Sequence, residues 1–352
     1  MSTITVPQSN PPSEPYRKLL GLLYAHYNFH YLDAGFRLGL FGLVRREPGL
    51  THPEIAKRLG LNEQPTRILL NGCVGNDLLR MEGETYQLTA VSQLLTGDFE
   101  DMADAFLPYE RHINYRAMSW FTESLQEDTN VGMHREIPGS SPTLYGRLAT
   151  DPDLEGVFHR MMGKVSERVA AELAERPEFS RYTHLLDIGG GAAVNATRLA
   201  GRRPGLRITI GDYPTVAEAG NAKLVAAGLG DRVKAVGLNA FADEFPAGAD
   251  CVLFAHFLEI WSPGAIRSLL AKASRAVRPG AGIFIITPGD EQESGPELGA
   301  GLSAYFHCVA SGEGMVYPRG DFEEWLIEAG FEPTGFTHVG GLGDVMISGV
   351  KR

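Results

Sequence analysis

The stretch THLLDIGGGAAVNATRLAGRRPGLRITIGD, residues 183–212, decides the fold. "THLLDIG" is a short apolar run of the length and character of a buried strand. "AVNATRLAGRR" has helical periodicity and stops before Pro204, and "LRITIGD" reads as a second strand. Between the first strand and the helix stand Gly189, Gly190 and Gly191. Glycines at such a turn let the backbone approach a ligand closely, and the helix start offers free N–H groups. Asp212 closes the second strand, 21 residues after Gly191. A carboxylate there can bind both hydroxyls of a ribose. A glycine cluster by itself is a weak signal. After a strand, before a helix and with a correctly spaced acid, it is a strong one.

C-terminal to this stretch the alternation continues. "PTVAEAGNAKLVAAG" is a helix, "RVKAVGL" a strand, "ADCVLFAHFL" a strand, "GAIRSLLAKASRAV" a helix, "AGIFIIT" a strand and "RGDFEEWLIEAG" a helix. "EPTGFTHVG" and "DVMISGVK" read as closing antiparallel strands. The expected class is α/β, a doubly wound, Rossmann-like parallel sheet over residues 179–352.

N-terminal to it the pattern changes. Residues 1–15 read as a disordered tail, and 16–44 as an apolar, aromatic helix buried in its own chain or against a partner. "LTHPEIAKRLGL" opens with Thr51 as N-cap and Glu54 three residues on, a capping box. A second helix follows Asn62, and "RMEGETYQLT" signals a hairpin around Glu82-Gly83. Helix, helix, hairpin is a winged helix-turn-helix, within a 16–98 module. Such a module binds DNA or serves as a packing scaffold. Its second helix carries Arg67 against Glu63, and its hairpin Arg80 against Glu82 and Glu84, so phosphate neutralisation is not supplied. A DNA-binding regulator is thus a remote reading. Residues 99–178 read as a helical connector, with a loop at Gly139–Pro142 and helical periodicity to about Leu173.

Composition bounds the rest. At 352 residues the chain suits about two domains. Hydrophobic residues at 43% and charged residues at 21% are ordinary for a soluble globular protein. A net charge of −11 disfavours nucleic acid as the main partner. There is no apolar run of about 18 residues to span a membrane, and Met1–Pro15 lacks the features of a signal peptide. Cys73, Cys251 and Cys308 are scattered singly, which excludes a disulfide scaffold or cysteine-rich zinc site and makes a reducing cytoplasm the default. His26, His30 and Asp33 share a helical face at metal-ligand spacing, but no catalytic metal motif accompanies them and no metal is expected.

Nicotinamide dehydrogenases and S-adenosylmethionine (SAM) methyltransferases share the glycine-turn geometry. Asp187, just before the glycines, would repel a pyrophosphate and suits the cationic amino-acid end of SAM. The third glycine expected for dinucleotides is also missing.

With these motifs in place, the chain resembles the caffeate-type O-methyltransferase family, including its bacterial secondary-metabolism branch, from residue 16 to 350. The N-terminal helices plus winged helix are similar to that family's dimerisation domain. "LLDIGGG" is similar to its first SAM motif and "GDYPTV", with Asp212, Tyr213 and Pro214, to its second. "FHRMMGKVS" resembles the helix that carries a Met and a Ser near the cofactor, here Met162 and Ser166. "RVKAVGLNAFADEFPAGAD" resembles the adenine-side strand and loop, here Asn239, Ala240 and Phe241. The resemblance implies a homodimer that binds SAM through these residues together with Asp187, Gly189, Gly191 and Phe254. It also implies a small aromatic acceptor near Tyr109, Met161 and His307.

The departures from the family carry information. Ala193 replaces a usual glycine, and Asn239 a usual aspartate. In "LFAHFLEIW" the family usually shows His-Asp-Trp where this chain has Glu259-Ile260-Trp261, and that His is the family's general base. The acid that orients it is replaced as well, because Val316 falls roughly at its place. Glu259 can serve as base if burial raises its pKa. A carboxylate beside a phenol also raises electron density at the adjacent ring carbon, which favours C-methylation slightly over O-methylation. His256, three residues earlier, is the second catalytic candidate and a cofactor-lining one. The alternative is a SAM-binding member with hydroxylase- or pericyclase-like chemistry.

Overall fold

The computed structural model describes residues 13–290 and 295–352. The expected tail lies outside the described residues up to position 12, but Glu14 and Pro15 already belong to the first helix. The chain divides into two compact units, one ending at Leu107 and the other beginning at Pro108.

In the first unit the expected single helix over 16–44 is three: α1 Glu14–Leu23, α2 Ala25–Arg37 and α3 Leu40–Arg46. The second break is at Gly39, whose φ of +72° ends one helix and starts the next. α1 buries no residue within the chain. Leu22 is 69% exposed, and Tyr16, Leu19, Leu23, Tyr24 and Tyr27 are at least half exposed. α4 His52–Leu59 starts from Thr51, whose backbone N–H donates to the Glu54 carboxylate while its side chain accepts from the Glu54 N–H, the two bonds of a capping box, and its hydroxyl also donates to that carboxylate. α5 Glu63–Gly75 follows Asn62, which makes no side-chain cap bond. β1 Leu79–Glu82 and β2 Thr85–Leu88 form the hairpin, with Gly83 at φ +63°. The unit closes around Leu40, Phe41, Ile55, Leu70, Cys73 and Leu79. Arg67 pairs with Glu63 and Arg80 with Glu82, so the basic groups of the wing and second helix are held by acids. His26 packs on Tyr27 and His30 on Phe29, while Asp33 pairs with Arg37. α6 Ala90–Leu94 and α7 Glu100–Tyr109 lead across the division.

The second unit begins with a helical wall. A π-helical turn, Glu110–Asn114, is followed by α8 Tyr115–Ala117, α9 Phe121–Glu127, α10 Val131–Glu136 and α11 Leu144–Leu148. The helical run expected to continue to Leu173 restarts at α12 Pro152–Glu175. Asp151 caps the new helix by accepting from Leu154 N–H at 3.0 Å, and Pro152 supplies its first turn.

The sheet then alternates as its patterning predicts. β3 His184–Ile188, α13 Val194–Arg202, β4 Arg207–Asp212, α14 Pro214–Ala226 and β5 Val233–Gly237 come first. β6 Cys251–Ala255, α15 Pro263–Ala276 and β7 Gly282–Pro288 follow. α16 Pro296–Tyr305, a π-helical turn Phe306–Ala310, α17 Arg319–Glu328 and the antiparallel β8 Phe331–Val339 and β9 Asp344–Lys351 complete it. The strand order is β5-β4-β3-β6-β7-β9-β8. From β3 the chain moves first to β4 on one side and later to β6 on the other. The switch in direction opens a crevice at the carboxyl ends of these strands, where such sheets bind ligands. β3, β6 and β7 are buried on both faces, as a parallel sheet covered by helices demands.

Candidate functional site

The first strand–helix turn is shaped by its backbone. Gly189 and Gly191 have φ of +74° and +53°. A Cβ on Gly189 would sit 2.3 Å from the Phe257 ring, and one on Gly190 2.6 Å from Asp187 Oδ2. Ala193 takes φ +63° and caps α13, so the residue that replaces a usual glycine accepts left-handed strain. Asp212 is fixed by two backbone donors, Gly191 N–H at 2.8 Å and Tyr213 N–H at 2.7 Å. Burial raises its pKa, offset in part by those donors and by His159 on α12. His159 lies on α12, three and seven residues before Met162 and Ser166, and its field reaches Asp212.

Asp187 is fully buried, and neither carboxylate oxygen has a hydrogen-bond partner among the described residues. Burial first, and then the nearby Asp212 charge, push its pKa to about 7. A buried, orphaned carboxylate calls for a cation. With Asp212 beside it the turn is anionic, which fits the cationic amino-acid end and ribose of SAM and disfavours a pyrophosphate.

The loop expected on the adenine side is built by Asn239. Its Oδ1 accepts from Phe241 N–H at 3.0 Å and Ala242 N–H at 3.2 Å, and its own N–H donates to Asp243 Oδ2 at 2.8 Å. The amide in place of the usual aspartate thus shapes the turn as an Asx motif. Phe241 is 40% exposed and Tyr213 50%, and Phe241 rests edge-on against Trp261 at 4.7 Å. Ala240 packs against the core beside them. β6 is buried on both faces, and the Phe254 ring packs in the core between Phe245 and Phe257, the second of which stands against Gly189.

The strand expected to reach Leu258 ends at Ala255, because His256 turns to φ +51°. Such a conformation in a bulky residue is costly and marks a site under constraint. The His256 N–H donates to the Ile286 carbonyl at 2.9 Å. Its Nε2 lies 3.2 Å from Oδ1 of Asp344, the first residue of β9, and both side chains are about nine-tenths buried. Burial opposes the imidazolium, but Asp344 and then Glu259 outweigh it and lift the His256 pKa to about 9. An acidic partner therefore exists after all. It comes from the last strand and serves His256, whereas Val316 is simply buried. Glu259 is 1% exposed and its Oε2 has no hydrogen-bond partner among the described residues. Burial carries its pKa to about 7, with His256 pulling it down and Asp344 pushing it up.

An aromatic wall stands next to this cluster. Tyr109 and Tyr305 meet at 5.8 Å, and Tyr109 and Tyr145 flank Phe158 at 6.3 and 5.8 Å. The Tyr305 hydroxyl bonds with those of both Tyr109 and Tyr145, and the field of Glu259 reaches Tyr145. Met161 is buried in the same helix as Phe158. His307 donates from Nε2 to the Ser124 carbonyl at 3.0 Å, which ties its ring into the helical wall. Asp344, His159, Tyr145 and Tyr305 were missed in the sequence. Only His159 left a signal, its helical spacing from Met162. The others are assembled by contacts distant in the chain. All three cysteines are buried and free. Among the described residues no helix is long and apolar enough to cross a membrane.

Comparisons with known proteins agree with this fold. An O-methyltransferase domain signature matches residues 119–332, and an O-methyltransferase dimerisation domain signature matches 20–98. The chain is 37% identical to an L-tyrosine C(3)-methyltransferase from Streptomyces lavendulae, over 91% of this chain and 88% of that protein. It is 28% identical to a 3-hydroxy-5-methyl-1-naphthoate 3-O-methyltransferase from Streptomyces sahachiroi, over 85% and 84% of the two chains. The crystal structure of the S-adenosylmethionine-dependent methyltransferase SibL in its apo form superimposes with a TM-score of 0.82 at 35% identity, covering 95% of this chain and 98% of that one. With the sheet, the glycine turn and both domain signatures in agreement, the chain belongs to the O-methyltransferase family and carries its methyltransferase and dimerisation domains together.

Proposed function

We propose that this enzyme, a SAM-dependent methyltransferase of small aromatic acceptors in secondary metabolism, methylates a phenol at the ring carbon beside the hydroxyl, with Glu259 as base. The observation that carries this reading is Glu259 itself: a buried carboxyl with an unpartnered oxygen and a pKa near 7, beside the His256–Asp344 pair. A base poised near the working pH is in the correct protonation state and still able to accept a proton. SAM, when bound, supplies an activated electrophilic methyl group.

The chain's own residues do the rest. Asp187 and Asp212 hold the amino-acid end and the ribose of the cofactor, and Asn239, Ala240 and Phe241 wall its adenine. Glu259 takes the phenol proton, which raises electron density on the oxygen and on the adjacent ring carbon alike. Once that carbon has bonded the methyl, it gives up its own hydrogen as a proton and the ring regains aromaticity. Glu259 returns its proton to the oxygen, and one proton leaves overall with S-adenosylhomocysteine as the other product. His256, kept protonated by Asp344, steadies the ionised Glu259. The wall of Tyr109, Tyr145, Phe158 and Met161 shapes an apolar slot for a flat ring and keeps water away, so positioning selects carbon over oxygen. The relative's tyrosine C(3)-methylation supports the choice. The exposed apolar face of α1 and α2 supports a homodimer built on the N-terminal unit.

The test is product analysis. Tyrosine and related phenols are incubated with SAM and enzyme, S-adenosylhomocysteine release is followed, and the methyl is located by NMR. Methyl on a ring carbon, lost with Glu259→Gln, is the expected result. Methyl on oxygen, or undiminished turnover by the variant, overturns the reading.

A further inference from the structure

Lys272 sits in the middle of α15 and is 7% exposed. An ammonium group has three N–H donors, and here all three are committed. Nζ donates to the carbonyl oxygens of Ala240 at 2.8 Å, Phe241 at 2.7 Å and Asp243 at 2.8 Å. Its charge also lies 5.9 Å from the centre of the Phe245 ring. Burying an ammonium is costly unless it is well partnered, so a lysine at this position needs a reason beyond packing.

The turn it grips is the one that walls the cofactor. The peptide groups of 239–243 are held from both sides. Asn239 Oδ1 takes the N–H groups of Phe241 and Ala242, while Lys272 takes the carbonyls of Ala240, Phe241 and Asp243. Fixing both the N–H and C=O directions fixes the planes of the peptides. That in turn fixes where the Phe241 ring stands against Trp261. Without the ammonium, three inward-turned carbonyls would lose their donor and the peptides would rotate toward other partners.

We propose that Lys272 is a positioning residue for the cofactor: by binding three carbonyls of the 239–243 turn, it presets the wall that receives the adenine. The proposal rests on the cofactor reading given above. It predicts an effect on nucleoside affinity that is not a general loss of fold.

The experiment compares wild type, Lys272→Met, Lys272→Gln and Asp212→Ala by calorimetry with S-adenosylhomocysteine and with 5′-methylthioadenosine, which lacks the amino-acid end. Lys272→Met is expected to weaken both ligands by a similar factor, about tenfold, the scale of a lost charged hydrogen-bond donor. The rise in KM falls on SAM and leaves KM for the acceptor near wild type. Amide exchange over 238–244 quickens, and adding S-adenosylhomocysteine slows it again. Lys272→Gln, which keeps a donor, loses less, and it decides the matter if the Met variant does not fold. Wild-type affinity in the folded Lys272 variants, with Asp212→Ala weakened, overturns the role of Lys272 and leaves the cofactor site standing. Wild-type affinity in Asp212→Ala as well overturns the cofactor reading itself.

Discussion

His256 Nε2 stands 3.2 Å from Asp344 Oδ1, an ion pair between the residue that follows a parallel strand and the residue that opens the last antiparallel one. The pair holds a cation next to Glu259. If both groups act, the rate rises as Glu259 loses its proton through pH about 7 and falls as His256 loses its own through about 9. Asp344→Asn removes the acid that keeps His256 charged, so the alkaline limb moves down toward the ordinary histidine range. A pH–rate profile of the variant, with an NMR titration of the histidines, checks this. An unmoved alkaline limb excludes the pair from the reaction.

Glu259→Gln keeps size and removes the charge. Turnover is expected to fall by about 10²–10⁴, the worth of general acid–base catalysis. Its stability effect has a sign. The folded pKa of about 7 lies above the ordinary 4.5, so the folded state binds the proton more tightly. The wild type therefore loses stability as pH rises from about 4.5 to 7. The Gln variant escapes that loss, and its Tm advantage over wild type should be larger at pH 8 than at pH 5. An equal difference at the two pH values would show that the carboxyl does not titrate as argued.

Asp187 carries the same logic at the cofactor turn. Its folded pKa of about 7 against an ordinary 3.8 means that burial costs stability across that window as pH rises. Asp187→Asn should raise the Tm of the ligand-free protein above pH 7 and weaken SAM, a trade of affinity for stability. In the wild type at pH 7, a cationic ligand favours the ionised carboxylate, so binding should release protons. Calorimetry in buffers of different ionisation enthalpy reads this directly.

Asp212→Ala should weaken SAM by about tenfold or more while leaving the fold intact, because a charged hydrogen-bond acceptor for the ribose is lost. Unchanged affinity by calorimetry, with circular dichroism like wild type, would count against the whole cofactor site.

Leu22 and Leu23 lie on the face of α1 that the chain itself leaves open. Leu22→Glu with Leu23→Glu should convert the protein from dimer to monomer in light scattering, with Glu54 still capping its helix. A stable dimer from the double variant would place the interface elsewhere.

Much of this protein is written locally. The alternation after Thr183, the glycine turn, the spacing of Asp212 and the Thr51–Glu54 capping box each depend on neighbours within a few turns of chain, so periodicity and turn chemistry reveal them. Glu259 was likewise legible as a candidate, because it stands in a short stretch that is read along the chain. Local reading also misled. Residues 16–44 share one apolar pattern, yet Tyr24 and Gly39 divide them into three helices.

What the sequence alone determined is therefore the order of elements, the glycine turn with Asp212 at its spacing, and Glu259 as a candidate base. What only the tertiary structure decided is the company that Glu259 keeps. Asp344 reaches His256 because β9 inserts antiparallel between β7 and β8, and Tyr145 and Tyr305 meet because separate helices pack into one wall. Lys272 reaches the 239–243 turn for the same kind of reason. A side chain's charge state depends on everything within a few ångströms of it in space. Chain order does not encode that distance until the sheet and its covering helices have packed.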